Sequence, residues 1–169
     1  MSLIKNLDNS EGIKKMKTMA EDIRVCMFCT GVDSLPFETR PMSTLEVDDE
    51  GNFWFFSNID SNKNFEILQD DQVQLIYSKP SDLHFMSVYG RAEISKDRKK
   101  IESLWNDFAK AWFKEGKADP QLTVVCIKPE QAYYWDTQHG KMISLLKIAI
   151  SAVSDKQMDD GMEGEIIVK

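Results

Sequence analysis

The sequence lacks a long apolar run. No stretch of the 169 residues approaches the ~20 consecutive apolar residues of a membrane span. Residues 1 to 16 also lack the apolar block of a secretory signal peptide. We therefore expect a soluble, cytoplasmic protein that does not act at a membrane.

A basic excess is absent as well. The formal net charge is −7 and the isoelectric point is about 4.9. Nucleic-acid-binding domains usually carry a basic face that follows the phosphate backbone. This charge balance does not favour nucleic acid as a partner.

Cysteine is scarce, with three residues in no framework spacing. Cys26 and Cys29 form a C-x-x-C, which suggests a redox pair or half of a zinc site. The surrounding "RVCMFCT" alternates like a strand, however, and positions i and i+3 of a strand point to opposite faces. The pattern favours two buried structural thiols.

Histidine is scarce, and several catalytic motifs are missing. The two histidines, His84 and His139, belong to no group with metal-ligand spacing, so no metal is predicted. His84 lies within a predicted strand, where we interpret it as a hydrogen-bonded structural residue. The chain contains no G-x-S-x-G, P-loop or G-x-G-x-x-G. Hydrolase and nucleotidyl-transfer functions therefore have little support.

The length and the 42% hydrophobic content favour one domain, residues 1–169, with 155–169 as a peripheral tail whose end, 163–169, is weakly extended or frayed. Hydrophobic periodicity predicts helices at 10–20, after Asp60 or Ser61, at 97–113 and at 141–155. It predicts strands at 24–30, 40–47, 53–57, 72–78, 83–95, 122–128 and 132–136. The strands follow one another at hairpin spacing, which predicts a mainly β (α+β) fold: an antiparallel barrel or sheet with flanking helices. Gly90, inside a long strand, predicts a bulge.

The apolar residues of two predicted helices could serve packing or a functional site. Trp105 and Trp112 lie on the stripe of helix 97–113, which favours a place in the core over contact with a cofactor. The helix at 141–155 is interpreted as a packing or dimer-contact element.

One constellation suggests ligand chemistry. Ser57 ends a strand, and Ser61, Asn62 and Lys63 open the next helix. Amide groups at a helix start, a hydroxyl and a lysine together form a phosphate site, although the same residues also serve as ordinary helix capping. Arg40, on the neighbouring strand, adds a second cation if its side chain turns toward the same place.

An ordered series of short motifs makes the chain resemble the FMN-binding split-barrel superfamily of pyridoxamine 5′-phosphate oxidase, and within it the general stress protein branch. The motifs cover residues 10 to 140: "RPM" at 40–42, "WFFS" at 54–57, "SNK" at 61–63, "SVYGRAEI" at 87–94, "LW" at 104–105, "AWFKEGKADP" at 111–120 and "YYWD" at 133–136.

The resemblance implies a six-stranded antiparallel split β-barrel that forms a homodimer, with FMN in a groove at the dimer interface. It also implies a cofactor contact for eight residues: Arg40, Pro41, Met42, Phe56, Ser57, Asn62, Lys63 and Trp135. No catalytic residue follows from the resemblance.

The resemblance does not extend to the substrate motifs. The oxidases carry a lysine further along the "RPM" strand, where this chain has Ser43, Thr44, Leu45, Glu46 and Val47. They also end in an arginine-containing motif, and here no arginine follows Arg98. A phosphorylated substrate needs such cations, so pyridoxamine 5′-phosphate is not favoured.

Three functions remain open from the sequence. The first is an FMN-dependent oxidoreductase acting on an unidentified small molecule. The second is a non-catalytic flavin-binding or stress-related protein, and the third is a barrel that binds haem or a deazaflavin.

Overall fold

The computed structural model describes residues 3–4, 9–137 and 161–167. The helices are α1 (Asn9–Ile23), α2 (Asn62–Gln69) and α3 (Arg98–Leu104). The strands are β1 (Leu3–Ile4), β2 (Val25–Thr30), β3 (Glu38–Ser43), β4 (Glu46–Val47), β5 (Phe53–Asn58), β6 (Gln72–Lys79), β7 (His84–Ser95), β8 (Leu122–Thr137) and β9 (Gly161–Ile167).

Six strands pair in a ring, when β3 and β4 are counted as one continuous strand. This ring confirms the predicted antiparallel barrel with flanking helices. The pairings run β2–β3, β4–β5, β5–β8, β8–β7, β7–β6 and β6–β2, all antiparallel. β3 and β4 act as one strand that changes partners at Thr44 and Leu45. The amide of Thr44 donates to the carbonyl of Arg24 (2.8 Å), whereas that of Leu45 donates to the carbonyl of Trp54 (2.9 Å). The predicted strand 40–47 is therefore bent, and its bend closes the ring.

The long β8 joins the barrel to a strand outside it. β8 replaces the two separate strands expected at 122–128 and 132–136, and its second half also pairs with β9. Residues 161–167, which the sequence places in a peripheral tail, thus form strand β9 outside the ring, and β1 pairs with it in parallel. The predicted helix at 141–155 lies outside the described residues.

The predicted bulge is present beside Gly90. The register between β7 and β8 shifts between Tyr89 and Gly90. A Cβ at Gly90 would lie 2.3 Å from the carbonyl oxygen of Lys128. Only glycine permits this approach of the two backbones.

The inner and outer faces of the barrel support two separate cores. Phe53 and Phe55 of β5 are fully buried inside the barrel. Trp54 and Phe56, on the other face of β5, pack in a second cluster with residues of and after α3. Strand alternation divides the aromatic run in this way.

The prediction of one helix over 97–113 is wrong. α3 ends at Leu104, and Asp107–Ala111 forms a 3₁₀ turn after an extended Trp105. The side chain of Asn106 accepts from the amide of Ala109 (3.3 Å) and so starts a new turn. Trp105 packs in the second core, but Phe108 and Trp112 are 85% and 75% exposed. The expectation of a buried Trp112 is therefore also wrong.

The cysteines are free thiols, and the interpretation of the C-x-x-C as structural is confirmed. Cys26 and Cys29 are both buried, and they lie on opposite faces of β2. Burial raises the pKa of the Cys26 thiol to about 12. A thiol held in its protonated form is a poor nucleophile and metal ligand.

No helix among the described residues is both long and apolar enough to span a membrane.

Candidate functional site

The start of α2 turns two polar side chains into the protein. Ser61 is the N-cap residue, and its hydroxyl accepts from the amide of Asn64 (3.3 Å). Lys63 and Asn64 follow in the first turn, and they are only 6% and 1% exposed. The capping predicted from the sequence is present, but capping alone does not require a buried lysine.

A ring of hydrogen bonds holds this turn against the barrel. The Lys63 ammonium donates to Ser57 Oγ, which donates to Asn64 Oδ1 (2.7 Å). Asn64 Nδ2 donates to Thr123 Oγ1 (3.3 Å), and that hydroxyl donates to the carbonyl of Ser57 (2.9 Å). The ring holds the Lys63 ammonium against Ser57 near the end of β5, so β5, β8 and α2 together determine the position of the lysine.

Arg40 approaches the same helix from the inner face of β3. Its Nη2 donates to Glu66 Oε2 (2.7 Å), and its Nη1 donates to Thr30 Oγ1 (2.6 Å). The Thr30 hydroxyl also donates to Glu66 Oε2 (2.5 Å). The guanidinium is thus held on two sides, one turn of α2 beyond Lys63.

The electrostatics of the group favour an anion. Burial, the largest cause, and the nearby Arg40 both lower the pKa of Lys63, Glu66 partly offsets them, and together they bring it to about 8. The two cations, Lys63 and Arg40, therefore lie within electrostatic range of each other and share one carboxylate, that of Glu66. We call these residues the Lys63 cluster: Thr30, Arg40, Ser57, Lys63, Asn64, Glu66 and Thr123.

A phosphate group fits this donor set. It would receive a lysine, an arginine, a hydroxyl and the amides at the start of a helix, which is the usual chemistry of a phosphate site. It would also supply the negative charge that the two cations lack. Of the eight residues predicted to contact a cofactor, the structure brings Arg40, Ser57 and Lys63 together here.

The neighbours of Arg40 on β3 point in different directions. Met42 shares the inner face with Arg40 and packs against the barrel core. Pro41 lies on the outer face and is exposed. Among the described strands β3 pairs only with β2, so a residue without an amide hydrogen is tolerated at this edge.

The other predicted residues lie apart from the cluster within one chain. Asn62 is exposed at the first position of α2. Phe56 lies on the face of β5 opposite Ser57, with its ring centroid 5.9 Å from that of Trp105. Trp135 lies on the outer face of β8, is 41% exposed and contacts Tyr133 at 4.6 Å between ring centroids.

Four members of the cluster escaped the sequence reasoning: Thr30, Asn64, Glu66 and Thr123. Glu66 lies at i+3 from Lys63, and this spacing on one helix face is a signal that could have identified it. The local signals for the other two are weaker. Asn64 lies close to the helix cap, and Thr30 lies on the inward-facing side of β2. Thr123 has none, because only the pairing of β5 with β8 places it beside Ser57.

A second charged group lies at the far ends of β6, β7 and β8. His84 Nε2 is 2.7 Å from Asp136 Oδ1, and its Nδ1 is 3.3 Å from Asp22 Oδ2. The Lys79 ammonium bridges Asp22 (2.5 Å) and Asp82 (2.8 Å). We call these five residues the His84 cluster, and they agree with the interpretation of His84 as a hydrogen-bonded residue.

The His84 cluster includes a possible metal-ligand set that sequence spacing did not reveal. Ligand atoms of Asp22, Asp82 and His84 lie within 4.8 Å of one another. Lys79 already supplies a cation between the two carboxylates. Asp136 is paired with His84 and also with the Lys15 ammonium. The cluster is therefore an ion-pair network in which each carboxylate already has a basic partner.

A family model independently identifies the chain. The model described as "Pyridoxamine 5'-phosphate oxidase like" matches residues 11–159. The chain belongs to this family. No curated protein matches the chain significantly.

Solved structures with the same fold include several general stress proteins. One, described as a general stress protein 26 from Jannaschia sp. CCS1, superposes with a TM-score of 0.76 at 22% identity, covering 94% of this chain and 99% of that one. The general stress FMN/FAD binding protein of Xanthomonas citri gives 0.65 at 24% identity, covering 76% and 90%. A general stress protein 26-related protein from Clostridium acetobutylicum gives 0.64 at 20% identity, covering 75% and 89%.

Proposed function

We propose that this member of the family binds FMN, with the flavin phosphate at the Lys63 cluster. The observation that carries the proposal is the buried Lys63 at the start of α2, which is hydrogen-bonded to Ser57 and lies within electrostatic range of Arg40. The name of the Xanthomonas citri protein, which states that it binds FMN or FAD, supports the same cofactor class.

The chain's own residues would bind and orient the cofactor. Lys63, Ser57 and the first amides of α2 hold the phosphate, and Arg40 adds positive charge beside it. Bound FMN supplies the redox chemistry, as in other flavoproteins. The protein is then a flavin-dependent oxidoreductase whose small-molecule substrate need not carry a phosphate, because the substrate cations of the oxidases are missing.

A second copy of the chain would complete the site. Within one chain Trp135 lies on the outer face of the sheet, whereas Arg40 and Lys63 lie at its inner side. The same outer face exposes Val25 (51%), Met27 (41%) and Ile76 (42%) beside Pro41. A homodimer that buries this face, with FMN in a groove at the interface, allows Trp135 of one protomer and the Lys63 cluster of its partner to contact one flavin.

The decisive experiment is the absorbance spectrum of the purified protein with added FMN, followed by identification of the bound cofactor. We expect flavin bands that remain after gel filtration, at a mass equal to two chains. Bleaching of the bound flavin by NADH or NADPH without oxygen would establish a redox function. A colourless protein that does not retain FMN would refute the proposal.

A non-catalytic flavin-binding protein is the second candidate. It agrees with the name of the Xanthomonas citri protein, which states FMN/FAD binding. Retention of FMN that NADH and NADPH leave oxidised would support it over the oxidoreductase.

A further inference from the structure

Glu66 is the feature of the Lys63 cluster that a simple phosphate site does not explain. Its carboxylate lies on the inner side of α2, one turn after Lys63, and contacts both Arg40 Nη2 (2.7 Å) and Thr30 Oγ1 (2.5 Å). A carboxylate beside a phosphate opposes it by charge repulsion. Its presence therefore reduces the attraction that the two cations would otherwise exert.

We propose that Glu66 is an internal counter-ion that weakens the hold of this site on phosphate-bearing ligands. The inference rests on the proposed function, since it assigns the phosphate of FMN to the Lys63 cluster. Glu66 acts through Arg40 and Lys63 and is a positioning and charge-setting residue, not a catalytic one.

The contacts explain why the carboxylate stays in place. Arg40 and Glu66 side chains are 23% and 26% exposed, so the pair is only partly screened by water. Thr30 is fully buried and holds both partners through one hydroxyl. Glu66 therefore neutralises the charge of Arg40. Among the described residues Lys63 remains as the unpaired cation, and its hydrogen bond to Ser57 fixes its position.

Three variants separate charge from geometry. Glu66→Gln removes the charge but keeps an oxygen that can accept from Arg40 and Thr30. Thr30→Val keeps all three charges and removes the hydroxyl between them. Glu93→Gln is the matched control, because Glu93 pairs with Lys128 (2.7 Å) on the exposed faces of β7 and β8.

Binding of FMN, riboflavin and inorganic phosphate is measured by calorimetry and flavin fluorescence at pH 6.5, at low and high salt. Glu66 raises the pKa of Lys63, so the acidic pH keeps Lys63 charged in every variant. For Glu66→Gln we expect FMN and phosphate to bind roughly tenfold more tightly, with a steeper salt dependence. The riboflavin affinity of Glu66→Gln should stay unchanged. Glu93→Gln should bind all three ligands as the wild type does. Thr30→Val should not bind FMN more tightly.

Each other outcome has a defined meaning. Equal or weaker FMN binding by Glu66→Gln overturns the inference, and an equal loss for FMN and riboflavin would assign Glu66 a structural role. If the wild type does not bind FMN but Glu66→Gln binds inorganic phosphate more tightly, the proposed function fails and the counter-ion inference stands. If no variant binds either ligand, both fail.

Discussion

The Lys63 cluster and the His84 cluster contain the same kinds of side chain in different surroundings. In the first, two cations share one carboxylate, and Lys63 is 6% exposed. In the second, Lys79 lies between two carboxylates and its side chain is 31% exposed. The pKa of Lys63 is lowered to about 8, chiefly by burial, whereas that of Lys79 is raised by its contacts with Asp22 and Asp82.

The difference shows how to separate a candidate ligand site from a structural ion-pair network. Each carboxylate of the His84 cluster has a basic partner and remains in contact with water, so the cluster needs no ligand. The Lys63 cluster keeps a buried cation with too little negative charge around it. Burial of such a charge costs folding free energy, and proteins generally keep such groups for binding or catalysis.

The largest expected effect is the loss of FMN binding in Lys63→Met. Removal of one charge-assisted contact to the phosphate should weaken FMN binding by about 1–3 kcal/mol. Riboflavin, which lacks the phosphate, should lose nothing. Fluorescence titrations with both flavins measure the difference, and Lys79→Met is the matched control.

If Lys79→Met lowers FMN affinity as much as Lys63→Met, the distinction between the clusters fails. Unchanged FMN affinity in Lys63→Met would remove the phosphate assignment itself. The variant should remain folded, because it replaces a desolvated ammonium with an apolar side chain of similar length.

The next effect is on stability, through the buried ring. Asn64→Ala leaves the Ser57 and Thr123 hydroxyls without their amide partner, and we expect a loss of about 1–3 kcal/mol in the free energy of unfolding. Urea denaturation of the flavin-free protein measures it. Asn58→Ala is the control, since Asn58 contributes an exposed hydrogen bond to Gln121 (3.1 Å). Equal losses in the two variants would contradict the role of burial.

A pH titration should separate the two flavins. Because the pKa of Lys63 is about 8, the lysine is largely charged at pH 7, and FMN affinity should fall as the pH rises through 8, by about tenfold from pH 7 to 9. Riboflavin should not show this fall. An FMN affinity that is constant over this range would mean that the ammonium does not contact the phosphate.

The same group should affect the stability of the flavin-free protein with the opposite sign. Between pH 8 and 10.5 the unfolded chain binds more protons at Lys63 than the folded one, so this residue contributes stability that increases with pH. The stability of the wild type relative to Lys63→Met should therefore rise across this interval. A flat difference between the two unfolding curves would contradict the buried, destabilised ammonium.

The smallest effect belongs to the His84 cluster. Lys79→Met removes two partly exposed ion pairs, with Asp22 and Asp82, and we expect a slight decrease in the melting temperature at low salt that disappears at high salt. FMN binding should not change. A large, salt-independent loss of stability would show that this network, too, is more than a solvated set of charges.

The local features of this protein follow from its sequence alone. Alternation in β2, β5 and β7 predicted strands, Ser61 predicted the start of α2, and Gly90 predicted the bulge, because each depends on nearby residues and on backbone chemistry. The presence of Ser57 and Lys63 around one turn also indicated a phosphate site, since their separation in the chain is short.

The tertiary structure decided what lies across strands. It placed Thr123 beside Ser57 through the β5–β8 register, and Arg40 beside Glu66 through the neighbouring strand β2 and helix α2. It also divided the aromatic run of β5, so that Phe56 faces the second core and not the Lys63 cluster. It broke the predicted helix after Leu104, because the cap at Asn106 and the packing of Trp105 outweighed hydrophobic periodicity. Burial, which sets the pKa of Lys63, depends on all these elements at once, and no local pattern encodes it.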